Sequence, residues 1–229
     1  MEKKVTNRKV IKQSNQLSTA KYKLSSTEMK FIALAIAQIR MEDEDFNTYT
    51  IKVSDIESQL GTEQNETRLK KFAKGLMSKP FEIPMDHGGW RVYNWFSMIE
   101  YIPSEAQFKC RIDDTLKPHL LKLVSHFTKY ELTSIAKMNS VYDIRFFQML
   151  NTSECKMRGY FKARVVDLQE VLQVPKSLLR YDNFKRKVLE VAVKEINEKG
   201  GIKVNMQEIK EGKKVTEIRI EISRQGELF

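Results

Sequence analysis

The chain contains the same order of segments twice. Residues 50–61 (TIKVSDIESQLG) precede a basic amphipathic stretch at 65–79, called here the first basic helix. Residues 162–174 (KARVVDLQEVLQV) precede the second basic helix at 179–200. The equivalent residues, about 112 positions apart, are Asp55 and Asp167, Ile56 and Leu168, Leu60 and Leu172, and Phe72 and Phe184. Each copy has a β-rich run, a short capped helix, a tight turn, a longer basic helix and a β-hairpin, which predicts an α+β fold of two tandem winged helix-turn-helix domains related by internal pseudo-duplication.

Length and charge agree with two folded domains and a polyanionic partner. The 229 residues suit two domains of about 110 residues each. The excess of 40 Lys and Arg over 30 Asp and Glu leaves a net charge of +10, which favours a nucleic acid if the charges cluster. Cys110 and Cys155 indicate neither a disulfide framework nor a zinc site. No apolar run suits a membrane span or a signal peptide, so we expect a cytoplasmic protein with no membrane partner.

The segments divide the chain into four predicted regions. They are a basic N-terminal arm at 1–17, a first winged-helix domain at 18–124, a second winged-helix domain at 125–223 and a C-terminal tail at 224–229. We expect three capping boxes, because Ser or Asp followed three residues later by Glu can satisfy the free N–H groups of a helix start. These pairs are Ser25 with Glu28, Ser54 with Glu57, and Asp167 with Glu170.

Three further segments connect these elements. Residues 81–112 alternate apolar and polar side chains, with turn signals at 87–89 and 103–104, and predict a meander that forms the first wing. Residues 116–130 form a bridge that we expect to be helical after Pro118. Residues 202–223, with a glycine-containing turn at Gly212, predict the hairpin of the second wing.

The first basic helix has the pattern of a phosphate-binding surface. Its predicted core residues are Leu69, Phe72 and Leu76, and at about 100° per residue three lysines lie on the opposite face. Those lysines are Lys70, Lys71 and Lys74, and the candidate contacts of this domain also include Arg68 and Lys79. Clustered lysines with few carboxylates attract a phosphate backbone, whereas a solvated helix face is the alternative.

The second basic helix carries the candidates for sequence recognition. Its predicted core stripe is Phe184, Val188, Val191, Ala192 and Ile196. The candidate DNA contacts are Arg180, Tyr181, Lys185, Arg186, Lys187, Lys194 and Asn197. Arg and Asn can make bidentate bonds to guanine and adenine edges, whereas Lys mostly supplies charge. Recognition helices usually present their N-terminal residues to bases, which favours Arg180, Lys185 and Arg186. Tyr181 stays open between packing and a phosphate contact.

Basic side chains also mark the two predicted wings. They are Lys109 and Arg111 in the first copy, and Lys210, Lys213 and Lys214 in the second. Basic wings often reach phosphates or the minor groove, but exposed turn lysines are also common without such a role.

The sequence lacks the patterns of the common catalytic sites. It has no glycine-rich phosphate loop, and His87, His119 and His126 lie at no metal-binding spacing. A nicking replication enzyme would need a closely spaced histidine pair together with a tyrosine nucleophile, and that pair is missing. We therefore expect a non-enzymatic protein with no metal, cofactor or small-molecule substrate.

Four segments resemble the iteron-binding plasmid replication initiators. They are LSTAKYKLSSTEMKFIALAIAQI, WFSMIEYIPSEAQF, LKPHLLKLVSHFTKYELTSIAKMNSVYDIRFFQML and RYDNFKRKVLEVAVKEINEKGGIKV. The resemblance covers about residues 10–222 with matching order and spacing. It implies two winged-helix domains that bind direct repeats at a plasmid origin, help open adjacent A·T-rich DNA, and recruit the host helicase with its loader and initiator proteins. It also implies dimers that repress their own promoter, in exchange with monomers that initiate replication.

The resemblance assigns roles to particular segments. RYDNFKRKVL matches the recognition helix of the second domain, which implies DNA contacts by Arg180, Lys185, Arg186 and Lys194. The first basic helix matches more loosely and implies phosphate contacts, and the first domain would also supply the dimer interface. A transcriptional repressor built from the same modules is the nearest alternative, and a scaffold that binds only proteins is a more distant one.

The C-terminal tail resembles a second known element. Gln225, Leu228 and Phe229 are similar to the short peptide by which bacterial replication proteins bind the sliding clamp. In that peptide an apolar pair fills a pocket and glutamine makes polar contacts. A tail that folds back on its own domain is the alternative.

Overall fold

The computed structural model describes residues 9–56, 65–85 and 88–224. The α-helices of this part are α1 (Asn15–Thr19), α2 (Ser26–Ile36), α3 (Glu66–Met77), α4 (Lys117–Leu120), α5 (Leu132–Ala136), α6 (Val141–Leu150), α7 (Ser153–Arg158), α8 (Val165–Val171), α9 (Tyr181–Phe184) and α10 (Glu190–Lys199). The strands are β1 (Val10–Ser14), β2 (Tyr49–Lys52), β3 (Phe81–Pro84), β4 (Trp90–Tyr93), β5 (Phe96–Ile102), β6 (Gln107–Ile112), β7 (Phe127–Glu131), β8 (Tyr160–Arg164), β9 (Ile202–Glu211) and β10 (Lys214–Arg224). None of these helices is long and apolar enough to cross a membrane.

Two three-stranded antiparallel sheets have the same connectivity. In the first sheet β6 lies between β2 and β5, and in the second β10 lies between β8 and β9. In both copies the strand before the helical segment pairs with the last strand of the following hairpin. This repeated topology, with a basic helix preceding each hairpin, confirms the predicted pair of tandem winged-helix domains.

The first wing is shorter than the sequence indicates. β3 and β4 form a separate two-stranded sheet, so the prediction of one meander over 81–112 is wrong and the β5–β6 hairpin alone is the first wing. The strand ends after Tyr93 because Trp95 turns into the core, where its ring stacks on Phe81 with centroids 4.3 Å apart. The predicted turn at 103–104 is confirmed, and Ala106 closes it with φ 46°. The other predicted turn includes His87, which lies outside the described residues.

The beginning of the chain belongs to the folded body from residue 10. β1 pairs antiparallel with β7, in a register from Val10 opposite Glu131 to Ser14 opposite Phe127. Ile11 and Leu17 are fully buried. The prediction of a basic arm at 1–17 is therefore wrong over residues 10–17, because this segment supplies a strand and the start of a helix that buries Leu17.

The bridge between the copies is also more extended than predicted. It is α-helical only in α4, and residues 127–131 form β7. The prediction of a helix after Pro118 is therefore wrong beyond Leu120. Lys122 and His126 have positive φ values of 47° and 48°, which redirect the chain toward β7. After β7, α6 contacts both α2 and α10, so it links the two halves of the molecule.

Helix capping agrees only in part with the sequence patterns. The box of Ser25 and Glu28 is confirmed, and α2 behind it is buried except at Ser26 and Leu34. The box at Asp167 is wrong: α8 begins after Arg164, and Asp167 forms an ion pair with that arginine instead, at 2.7 Å. Ser140 and Asp143 form a capping box that we did not predict. The box of Ser54 and Glu57 falls partly outside the described residues.

Candidate nucleic-acid interface

The second basic helix contains a π-helical turn. α9, the π turn Lys185–Leu189 and α10 follow one another without a break. The predicted stripe is buried at Phe184, Val188, Ala192 and Ile196, but Val191 is 41% exposed and Leu189 is buried in its place. A π turn holds one residue more than an α turn, which changes the helical phase at this point. The prediction that Val191 is a core residue is therefore wrong.

Three cations of the second basic helix face solvent. Arg186, Lys187 and Lys194 are exposed, and none of them forms an ion pair with another residue in the described ranges. Arg180 at the helix entrance is also exposed, and its contact with Asp182 at 3.7 Å joins two exposed side chains. Such a surface pair contributes little, so Arg180 can exchange it for another anion. These four residues stay the predicted DNA contacts of the second domain.

Tyr181 and Lys185 are held by the second wing. The hydroxyl of Tyr181 donates to Oε1 of Glu208 at 2.9 Å, and Nζ of Lys185 lies 2.6 Å from the same oxygen. The bond to Glu208 raises the pKa of Lys185, and the two bonds lower the pKa of Glu208. Burial, followed by the bond to Glu208, raises the pKa of Tyr181. Both side chains therefore have a partner within the protein. We now assign them to the contact between the helix and the wing rather than to direct DNA contacts.

Three other predicted contacts also have structural partners. Asn197 accepts from the Val204 N–H at 2.8 Å and donates to the Val204 carbonyl at 3.0 Å. Lys79 donates to the carboxylate of the buried Glu28 at 2.7 Å. Arg111 donates to the Phe46 carbonyl at 2.8 Å and pairs with Asp45 and Asp114. We therefore revise Asn197, Lys79 and Arg111 to residues that stabilise the fold.

The first basic helix keeps its predicted polarity. Asn65 caps α3 by accepting from the Arg68 N–H at 3.0 Å. Leu69 and Leu76 are buried, and the half-buried Phe72 contacts Phe31 with ring centroids 5.4 Å apart. Lys70, Lys71 and Lys74 are exposed and pair with no carboxylate among the described residues, and Arg68 is exposed near the helix start. This arrangement leaves three ammonium groups free to bind phosphates.

An open groove separates the second wing from the helices of its domain. Its volume is about 950 Å³, and it lies between the wing, the start of α8 and the entrance of the second basic helix. Lys210, Lys213 and Lys214 line it around Gly212, whose φ of 61° makes the turn. In the first wing, Lys109 is half-buried on β6 between Thr50 and Glu100. The second wing is therefore the one with a cluster of exposed lysines at its turn.

Glu208 is a residue of this site that the motifs of the sequence do not indicate. The signal lies in the alternation of β9, where Ile202 and Val204 are buried and Met206 is half-buried. Glu208 continues that inward series, so its carboxylate needs a polar partner inside the domain. The residues of the predicted clamp-binding tail, Gln225, Leu228 and Phe229, lie outside the described residues.

The geometry defines a class of protein. Two winged helices, each with an exposed basic helix, constitute a tandem winged-helix DNA-binding protein. Residues 10–151 match the family model described as initiator replication protein, WH1, and residues 160–222 match initiator Rep protein, WH2. The chain belongs to this family of plasmid replication initiators, which confirms the resemblance drawn from its segments. It is also 24% identical to an uncharacterized 27.6 kDa protein of Escherichia coli, over 86% of this chain and 88% of that protein.

The two family models divide the chain later than predicted. The first model continues to residue 151, whereas we placed the start of the second domain at residue 125. The additional residues contain β7, which pairs with β1, and α6, which contacts both halves.

Proposed function

We propose that the protein binds direct repeats at a plasmid origin through both winged helices. The observation that carries this proposal is the set of exposed cations on the second basic helix, Arg186, Lys187 and Lys194, next to a wing with three exposed lysines. Arginine supplies bidentate base contacts, and the lysines supply phosphate contacts that position the helix. The exposed lysines of the first basic helix would bind the backbone about one helical turn away.

Membership of the initiator family supports a proposed role at a plasmid origin. Repeat binding would distort the adjacent A·T-rich DNA and recruit the host helicase, its loader and initiator proteins. Monomers would initiate replication, and homodimers formed through the first domain would repress the protein's own promoter. The protein would perform this role in the bacterial cytoplasm by binding alone, without a cofactor or a catalysed reaction. The tail would bind the sliding clamp, and a clamp pull-down unaffected by Leu228→Ala with Phe229→Ala would contradict that part.

A winged-helix transcriptional repressor is the second candidate function. Both functions use the same DNA-binding modules, so they differ in what happens next to the bound site. An initiator should make thymines in the adjacent A·T-rich segment reactive to permanganate, whereas a repressor should leave them stacked and unreactive.

The central experiment is a fluorescence anisotropy titration. The protein is titrated into a duplex that carries its origin repeat and into a scrambled duplex, over a series of salt concentrations. We expect a preference of at least about 10³ for the repeat and a steep salt dependence, because many phosphates are neutralised. Equal and weak binding of both duplexes by a size-separated monomer would refute the proposal.

A further inference from the structure

Glu208 connects the second wing to the start of the second basic helix. It lies on β9 shortly before the turn at Gly212, and its side chain is only 23% exposed. Its Oε1 atom accepts from the Tyr181 hydroxyl and pairs with the Lys185 ammonium, at 2.9 and 2.6 Å. Tyr181 begins α9 and Lys185 begins the π turn. One carboxylate therefore ties two successive turns of the helix to the wing.

The ion pair neutralises a lysine at the entrance of the second basic helix. Lys185 lies between Glu208 and the more distant Glu190, whose carboxylate is 3.9 Å from its ammonium. The mutual shifts in the pKa of Lys185 and Glu208 keep both groups charged at neutral pH. An ammonium that already has carboxylate partners releases few counterions when DNA binds, in contrast to the exposed Arg186 and Lys187 that follow it.

We propose that Glu208 is a specificity-determining positioning residue of the DNA site. It holds Tyr181 and Lys185 against the wing, which fixes the direction of Arg186 and Lys187 and withholds the Lys185 ammonium from phosphates. Phosphate contacts raise affinity for every duplex, whereas a fixed helix entrance favours the duplex with the correct bases. This inference rests on the proposed function, since it concerns how the same site selects its repeat.

A double-mutant cycle tests the proposal with the full-length protein. Glu208→Gln should free Lys185 to bind a phosphate, which raises affinity for a scrambled duplex about fivefold at about 0.15 M salt and steepens the salt slope by about 0.9. The repeat complex gains the same contact but loses the fixed helix entrance, so the preference for the repeat should fall about fivefold. In the Glu208→Gln background, Lys185→Met should reverse the gain on the scrambled duplex. Lys185→Met alone leaves the Glu208 carboxylate without its ammonium partner and should weaken binding to both duplexes by repulsion.

A matched control separates positioning from charge. Glu211→Gln removes the same charge from the same strand, at an exposed position with no ion pair among the described residues. It should strengthen binding to both duplexes equally and leave the preference unchanged. Circular dichroism melting checks that each variant is folded, and Lys185→Met tests the pair from its other side.

The outcomes distinguish this inference from the proposed function. The inference is overturned if Glu208→Gln behaves like Glu211→Gln, or if Lys185→Met in the Glu208→Gln background does not reverse the gain on the scrambled duplex. A wild-type protein without any preference for the repeat would instead refute the proposed function, and this inference with it.

Discussion

Replacing Asn197 by alanine tests whether this residue stabilises the second domain or contacts DNA. Its amide makes two hydrogen bonds to the backbone of Val204 on β9, an edge strand of the β8–β10–β9 sheet. The amide thus supplies the two bonds that a neighbouring strand would make. Each neutral hydrogen bond contributes about 1 kcal/mol net, and the unpaired backbone groups of the buried Val204 add a further penalty. We expect the unfolding free energy to fall by about 2–3 kcal/mol.

The assay combines urea denaturation with DNA binding. The free energy of unfolding should decrease in Asn197→Ala, while the folded variant should keep its preference for the repeat over a scrambled duplex. Lys194→Ala is the matched control, since Lys194 lies on the exposed face of the same helix. It should change the unfolding free energy by less than about 0.5 kcal/mol and weaken binding to both duplexes. The reasoning is refuted if Asn197→Ala is as stable as the wild type but loses its preference for the repeat.

Three further predictions concern DNA contacts and pH. Arg186→Ala should reduce the preference for the repeat about tenfold or more with little change in salt slope, as measured by anisotropy. An unchanged preference together with a shallower salt slope would contradict base contact. Replacing the three exposed lysines of the first basic helix by alanine should lower the salt slope by about 2.7, and an unchanged slope would rule out phosphate binding there. Burial raises the pKa of Asp143 to about 6, so the folded protein binds this proton more tightly than the unfolded chain and this group's contribution to stability falls as pH rises from about 4 through 6. Relative to the wild type, Asp143→Asn should therefore be more stable at about pH 7.5 than at about pH 5, and urea denaturation that gives the same difference at both would contradict this.

The sequence predicted features that depend on local periodicity. The duplication, the burial of α2, the capping box at Ser25 and the exposure of the lysines on the first basic helix all follow from side-chain spacing along one element. Hydrophobic periodicity also placed most of the core stripe of the second basic helix correctly. These features need no information about which elements are neighbours in space.

The errors involve partners that are distant in sequence. The strand at Val10–Ser14 forms because β7 pairs with it, and neither segment alone indicates the other. Basic residues were assigned to DNA by their charge, yet Lys79 is bound by Glu28 from another helix and Lys185 by Glu208 from the wing. Sequence spacing identifies a cation on a helix surface, but the fold determines whether a carboxylate already binds it.

The π turn at Lys185–Leu189 is a place where the second basic helix can lose a residue without a change of direction. Because a π turn holds about one residue more than an α turn, deleting one residue within it would restore regular α-helical hydrogen bonding and leave the helix entrance on nearly the same face relative to α10. Arg180 and its neighbours before the turn would keep their direction, whereas the residues within the turn would change position. Loss of a single codon here would thus change which side chains of the turn are exposed and spare both flanking segments, which a deletion elsewhere in the helix cannot do.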